Sequence, residues 1–248
     1  MESSSELCDN YDHLDDHLDY ILENVLSETV VQNASVSVDA FKLKEQFNTL
    51  LLNRCDCNNN MGEKEQCVKC CHGGNYVFDN DFKELVLNTV EDVGRDLIYE
   101  CTGLCGCSPE KCFNRLVQRG PRKFLQIIDS LQYQSKGLKT NRNIPKGAFI
   151  CEYAGELLTL QESKKILKEN DEKHKMNYVL VLKESCKRSE GDIGNEVIFT
   201  IVDPSKKGNI GRYLNHSCSS NCKIISVRVD CPIPKIGKYM IESLLIKT

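Results

Sequence analysis

The 248 residues include no tryptophan and only 6 prolines. No apolar run approaches the roughly 18 residues needed to span a bilayer, so no membrane association is expected. Residues 1 to 41 lack lysine and arginine altogether while carrying ten acidic side chains. The opening Met1-Glu2-Ser3-Ser4-Ser5 has neither the basic stretch nor the apolar core of a secretory leader, so an oxidising compartment is not expected. Basic residues occur as scattered pairs such as Lys187-Arg188 and Lys206-Lys207, without a strong import cluster. The net charge of -4 divides unevenly, because residues 42 to 248 hold 32 basic and 26 acidic side chains. A uniform nucleic-acid surface is not indicated, and no direct sequence-specific DNA binding is expected.

What the chain has in excess is cysteine, 15 in all. Nine of them follow the pattern C-x-C-x9-C-x2-C-C (Cys55, Cys57, Cys67, Cys70, Cys71) and then C-x3-C-x-C-x4-C (Cys101, Cys105, Cys107, Cys112). Spacings of one to four residues let soft thiolates converge on tetrahedral zinc. Three zinc ions need twelve sulfur contacts, and nine thiolates supply twelve if three of them bridge two metals. Such a shared cluster would carry a net charge of about minus three. The competing reading is a disulfide scaffold. It is disfavoured by the odd cysteine count, the missing leader and the vicinal pair Cys70-Cys71, which ordinary disulfides accommodate poorly.

Hydrophobic content of 40% is enough for a core, and the length suits one substantial domain with a small appendage. Residues 1–53 read as an acidic helical segment. Leu7, Tyr11, Leu14, Leu18, Ile21 and Val25 alternate in steps of four and three, and Ala40, Leu43, Phe47 and Leu50 repeat the pattern. The first seam suits a partner helix or a hairpin with the second. Residues 54–117 form the cysteine region; its joining segment, 72 to 100, is expected to be mostly loop organised by metal. From 118 to 248 short β-rich runs dominate: Phe124 to Ile128, Ala148 to Tyr153, Tyr178 to Leu182, Val197 to Val202, Ile224 to Val229 and Tyr239 to Ile241. One clear helix is expected after Thr159, where Thr159-Leu160-Gln161-Glu162 forms a capping box. The fold class is therefore mainly β, built of small curved sheets with short helices.

Two stretches of the C-terminal half resemble the SET domain of protein-lysine methyltransferases: Ile144-Pro145-Lys146-Gly147 with Cys151-Glu152-Tyr153-Ala154-Gly155-Glu156, and Gly208 through Cys218, which contains Arg212-Tyr213-Leu214-Asn215-His216. The nine cysteines are similar to a pre-SET zinc module of the Su(var) group. Val202-Asp203-Pro204 and Asn209-Ile210-Gly211-Arg212 look most like SET portions found fused to a mariner transposase. The resemblance covers residues 55 to about 246.

It implies methyl transfer from S-adenosylmethionine to a lysine of histone H3, lysine 9 or lysine 36, on nuclear chromatin and chromosomes. Tyr153 would line the lysine channel. Ser135, Lys136 and Gly137, with Tyr178, Arg212, Asn215 and His216, would hold the cofactor. Where the family reads Gly-Trp-Gly, this chain has Ser135-Lys136-Gly137. The family pattern continues into an Asp-Tyr pair and a post-SET zinc site that would use Cys218, and neither lies within the 248 residues, so a truncated or inactive module that binds cofactor or chromatin without turnover is the alternative expectation.

Overall fold

The computed structural model describes residues 17–57, 67, 71–72, 74–88, 97–131, 135–187 and 195–241. Strands dominate, and the helices are few and short.

The N-terminal segment departs from the helical expectation. Leu7, Tyr11 and Leu14 lie outside the described residues, and the rest of that seam is extended. Strands β1 (Asp19–Tyr20) and β2 (Val25–Leu26) add in parallel to strand edges from the C-terminal half. The Asp19, Ile21 and Val25 N–H groups donate to the carbonyls of Lys206, Gly208 and Gly155 at 2.8, 3.0 and 3.1 Å. Open edge carbonyls outweigh helical periodicity here, since sheet addition satisfies the same backbone groups and half-buries Leu18, Ile21 and Val25. Helix α1 (Glu28–Asn33) follows, capped by Ser27, whose hydroxyl accepts from the Val30 N–H at 3.1 Å. Helix α2 (Val38–Asn48) carries Ala40, Leu43 and Phe47; the last two pack on a core of Tyr153, Leu157, Val202, Ile233 and Ile236.

The segment expected to be loop contains three strands. β3 (Tyr76–Asp79) and β4 (Glu84–Leu87) form an antiparallel hairpin, and β5 (Leu97–Tyr99) joins a sheet contributed by the C-terminal half. Metal is thus not the only organiser of this region. Tyr76, Leu85, Leu87 and Ile98 pack with Phe149, Ile225, Val227 and Tyr239 in one apolar cluster.

A second hairpin, β6 (Leu125–Ser130) and β7 (Ser135–Thr140), precedes β8 (Phe149–Glu152) and β9 (Glu156–Leu157). Helix α3 (Leu160–Glu172) starts at the expected capping box, with both reciprocal bonds between Thr159 and Glu162 present. Then come β10 (Leu180–Lys187), β11 (Asn195–Asp203), β12 (Lys207–Gly208), β13 (Cys222–Arg228) and β14 (Lys235–Met240). The strands make two four-stranded sheets, ordered β10-β11-β9-β2 and β5-β13-β14-β8, while β1 pairs with β12. Arg228 of one sheet forks onto Glu184 of the other through bonds of 3.0 and 2.9 Å, with both side chains nearly buried. A bidentate pair of this kind fixes orientation as well as distance.

Between β12 and β13 a 3-10 turn, Ile210–Tyr213, is pressed against β8. A Cβ on Gly211 would overlap the Glu152 carbonyl oxygen, so only glycine allows this approach. The turn holds the Gly208-to-Cys218 stretch against Tyr153, which immediately follows β8.

Candidate functional site

The cysteines of the two sequence groups converge. Cys55, Cys67, Cys101 and Cys107 are buried, with sulfurs all within 4.8 Å of one another. Cys105 and Cys112 belong to the same cluster, and Cys57 packs against it. None of these seven cysteines is in a disulfide bond. Polar hydrogens point at the sulfurs: the Cys55 and Thr102 N–H groups at Cys105 Sγ (3.4 and 3.2 Å), Asn114 at Cys101 Sγ (3.6 Å) and Arg115 at Cys107 Sγ (3.6 Å). Such donors suit thiolates, which accept and do not donate, and this is the chemistry of a metal-binding set. Hydrogen bonding from Cys101 leads the effects that lower the Cys112 thiol to about 5, whereas burial leads those that raise Cys67 and Cys107. The residues present therefore fit zinc. Cys71 is exposed and donates to the Arg54 carbonyl at 3.2 Å, and Cys70 lies outside the described residues.

His72 was not anticipated from sequence. Its Nε2 stands 3.4 Å from Cys105 Sγ, and its ring nitrogen lies within 4.8 Å of the Cys101 and Cys105 sulfurs. Burial lowers its pKa, which favours the neutral ring. Its position directly after Cys70-Cys71 was the available signal.

A second constellation surrounds Tyr153. The phenol is 6% exposed and its hydroxyl donates to the Tyr178 carbonyl at 2.6 Å. Burial, then the nearby Asp203 carboxylate, push its pKa above the usual phenol range against the opposing charge of Arg212. It therefore stays protonated at neutral pH: a positioning hydroxyl and not a base. Arg212 is buried, donates from Nε to the Pro204 carbonyl at 3.0 Å, and lies over the rings of Tyr178 (4.5 Å) and Tyr213 (5.2 Å). Cation–π contact with two rings offsets part of the cost of burying that guanidinium.

β7 meets the end of the signature loop. Asn215 Nδ2 donates to the Lys136 carbonyl at 3.3 Å, and a Cβ built on Gly137 would stand 3.2 Å from the same nitrogen. Gly137 is buried in the β6–β7 ladder, and its missing Cβ lets the Asn215 side chain pack against this backbone. Ser135 and Lys136 turn away: the Ser135 hydroxyl donates to the carbonyl of Lys136 at 3.3 Å, and the Lys136 amine binds Asp129 at 2.6 Å on the exposed face. His216 is exposed, with Nε2 3.9 Å from Cys218 Sγ. Cys222 is engaged with Asn221 and Met240, and Cys231 with the Ile233 carbonyl, so neither gathers around Cys218.

Known proteins resemble this chain in both sequence and fold. The SET domain family matches residues 135–244. The Caenorhabditis briggsae protein "Probable histone-lysine N-methyltransferase set-23" is 35% identical over 185 residues, 73% of this chain and 68% of the nematode protein. The chain belongs to the SET-domain histone-lysine N-methyltransferase family. Bovine "Histone-lysine N-methyltransferase SETMAR" is 39% identical over 148 residues, covering 60% of this chain and 45% of the bovine protein. The chain thus spans about half the length of such SETMAR relatives. Among solved structures, the methyltransferase domain of human SETMAR superposes with a TM-score of 0.65 at 29% identity, over 92% of this chain and 72% of that one. SUVH6 of Arabidopsis thaliana, solved in complex with SAM, gives 0.60 at 25% identity, over 93% and 44%. Tyr153, Tyr178, Arg212, Gly137 and Asn215 all lie on this SET scaffold. Asn209 was missed from sequence: its Oδ1 accepts from the Gly211 N–H at 2.9 Å and the Ala154 N–H at 3.4 Å, tying the signature turn to the Tyr153 segment.

Proposed function

We propose that this protein transfers a methyl group from S-adenosylmethionine to a side-chain amine of histone H3, at lysine 9 or lysine 36, and acts on chromatin in the nucleus. The observation that carries the reading is the buried Tyr153 hydroxyl bonded to the Tyr178 carbonyl on a SET scaffold. With its hydrogen committed to that carbonyl, the phenol oxygen keeps lone pairs that can accept from an incoming ammonium or amine and aim its nitrogen.

The cofactor supplies an electrophilic methyl on a cationic sulfonium. The backbone of Ser135, Lys136 and Gly137, with Asn215, is the proposed cradle, with Tyr178, Arg212 and His216 flanking it. An in-line displacement depends on alignment above all, so rigid placement of Tyr153 by β8 and the Gly211 contact is the protein's main contribution. Lysine must shed its proton first; its free pKa near 10.4 makes that cost about 4 kcal/mol at neutral pH, which a dry apolar channel reduces. No strong base is needed, consistent with a Tyr153 held protonated.

The nine cysteines Cys55, Cys57, Cys67, Cys70, Cys71, Cys101, Cys105, Cys107 and Cys112 are proposed to hold three zinc ions as one cluster. Cys218 would serve a further zinc site only with cysteines from a following segment.

The second reading, a SET module that binds cofactor or chromatin without turnover, is favoured by one observation. Ser135 and Lys136 replace a glycine and an aromatic wall, and the Lys136 side chain turns to Asp129. Incubating the zinc-loaded protein with S-adenosylmethionine and recombinant histone H3, followed by tandem mass spectrometry, separates the two. A methylated lysine 9 or 36 is expected; cofactor binding with unmodified H3 would leave only the second.

A further inference from the structure

A cavity of about 650 Å³ opens between the β3–β4 hairpin, the loop after Cys112 and the far end of β7. That volume falls within the ~300–1,000 Å³ typical of ligand sites. None of Tyr153, Tyr178, Arg212, Asn215 and His216 lines it, so it is separate from the site described above.

Its walls combine two chemistries. Lys83, Arg119, Arg122, Lys123 and Arg142 supply five cations against one carboxylate, Glu84, which Arg122 already engages. This concentration of positive charge contrasts with a chain of net charge -4. Interleaved with the cations are aromatic rings that stay in water: Phe78, Phe82 and Phe124 are 43%, 36% and 50% exposed. Arg142 lies 3.4 Å above the Phe124 ring, making a flat cationic platform. Lys83 and Phe124, both in the cavity lining, have left-handed backbones, at φ 57° and 66°. For a bulky aromatic that conformation is costly, and here it turns a large ring outward. Arg119 is braced by its bond to the Cys112 carbonyl at 2.8 Å, which couples the wall to the cysteine cluster.

We propose that this cavity binds single-stranded nucleic acid, with phosphates on the cations and unstacked bases on Phe82 and Phe124. Cations spaced between exposed rings match a strand whose charges and flat faces alternate. A duplex hides its base faces, and an acidic peptide has no planar groups for the rings, so both fit less well. Recognition is by backbone and stacking, which tolerates any sequence.

Fluorescence anisotropy of the zinc-loaded full chain with a labelled oligothymidine and oligouridine tests this. Binding is expected to weaken steeply with salt, each cation contributing roughly 0.7 to the slope of log affinity on log salt. Arg142→Gln and Lys83→Gln should each lower that slope by about this amount, whereas Lys164→Gln on α3 leaves it unchanged. Phe124→Gly removes the ring at a backbone angle where glycine is at ease, so the fold is retained; affinity should fall roughly tenfold with an unaltered slope. Absence of binding by the folded protein would overturn the proposal. So would affinity insensitive to Phe124→Gly and Arg142→Gln, or binding of a duplex or polyglutamate as tight as that of the single strand.

Discussion

The Tyr153 hydroxyl donates to the carbonyl oxygen of Tyr178 at 2.6 Å, joining the residue after β8 to the residues that lead into β10. Removing that hydroxyl keeps the ring and its packing. Tyr153→Phe should therefore leave the melting temperature within a few degrees of the parent and cofactor affinity nearly unchanged, while methyl transfer falls on the order of a hundredfold or more through lost alignment. Thermal unfolding, calorimetry with S-adenosylhomocysteine, and rates on H3 measured side by side check each part.

Gly137 makes the second prediction. Valine there would crowd Asn215 Nδ2, which a single Cβ already approaches to 3.2 Å, and would push that side chain off the proposed cradle. Calorimetric titration of Gly137→Val with S-adenosylhomocysteine should show affinity lowered at least about tenfold, since about 1.4 kcal/mol of lost contact is sufficient. Asn215→Ala should weaken binding as well. Parent-like affinity in both variants would move the cofactor elsewhere.

Metal removal is the third. Elemental analysis of reduced protein should find about three zinc ions, from nine thiolates sharing twelve contacts. Chelation, or Cys101→Ser, should release metal and destabilise residues 97–119 in hydrogen exchange, because folding there is coupled to binding. The β3–β4 hairpin should keep part of its protection, since Tyr76 and Leu87 also pack on Phe149 and Tyr239.

The fourth concerns Lys235, whose amine bonds Glu23 and Glu152 at 2.9 and 3.1 Å. Burial alone would lower its pKa, but those two carboxylates reverse the effect and hold it above the ordinary lysine range. Burial in turn raises Glu152 despite the amine beside it. Lys235→Met leaves Glu152 buried without its counter-charge and should cost about 3–5 kcal/mol, with Glu152→Gln in the same chain restoring much of it. A lysine with a raised folded pKa contributes fully below its unfolded value near 10.4, and the contribution is lost as pH climbs through the higher folded value. Denaturant titrations should show the gap between parent and Lys235→Met constant from about pH 8 to 10 and shrinking above that range.

Much of this fold is legible where local signals agree with tertiary contacts. Thr159 and Glu162 announce α3 because a capping box is satisfied within four residues. The β-branched runs around Ile150, Ile201 and Val227 are core strands, although Val197 and Phe199 at the start of the second stay exposed. Misreadings arise where a partner far along the chain decides. Leu18, Ile21 and Val25 have helical spacing, yet edge carbonyls of Lys206, Gly208 and Gly155 draw that segment out. Ser135-Lys136-Gly137-Leu138 has little strand character and is held extended by β6. Leu97–Tyr99 becomes a strand by pairing with Ser226–Arg228, well over a hundred residues away. In the site, the signature motif pointed to Arg212 and Asn215, but the turn of Lys136 toward Asp129 and the approach of His72 to Cys105 depend on packing that spacing does not encode.

Transfer of tritium from labelled S-adenosylmethionine to histone H3 by the zinc-loaded protein tests the central claim most directly. Label is expected on H3 and is lost with Tyr153→Phe, although that variant still binds S-adenosylhomocysteine. Label that persists in Tyr153→Phe, or none from a parent protein that binds the cofactor, would contradict that claim.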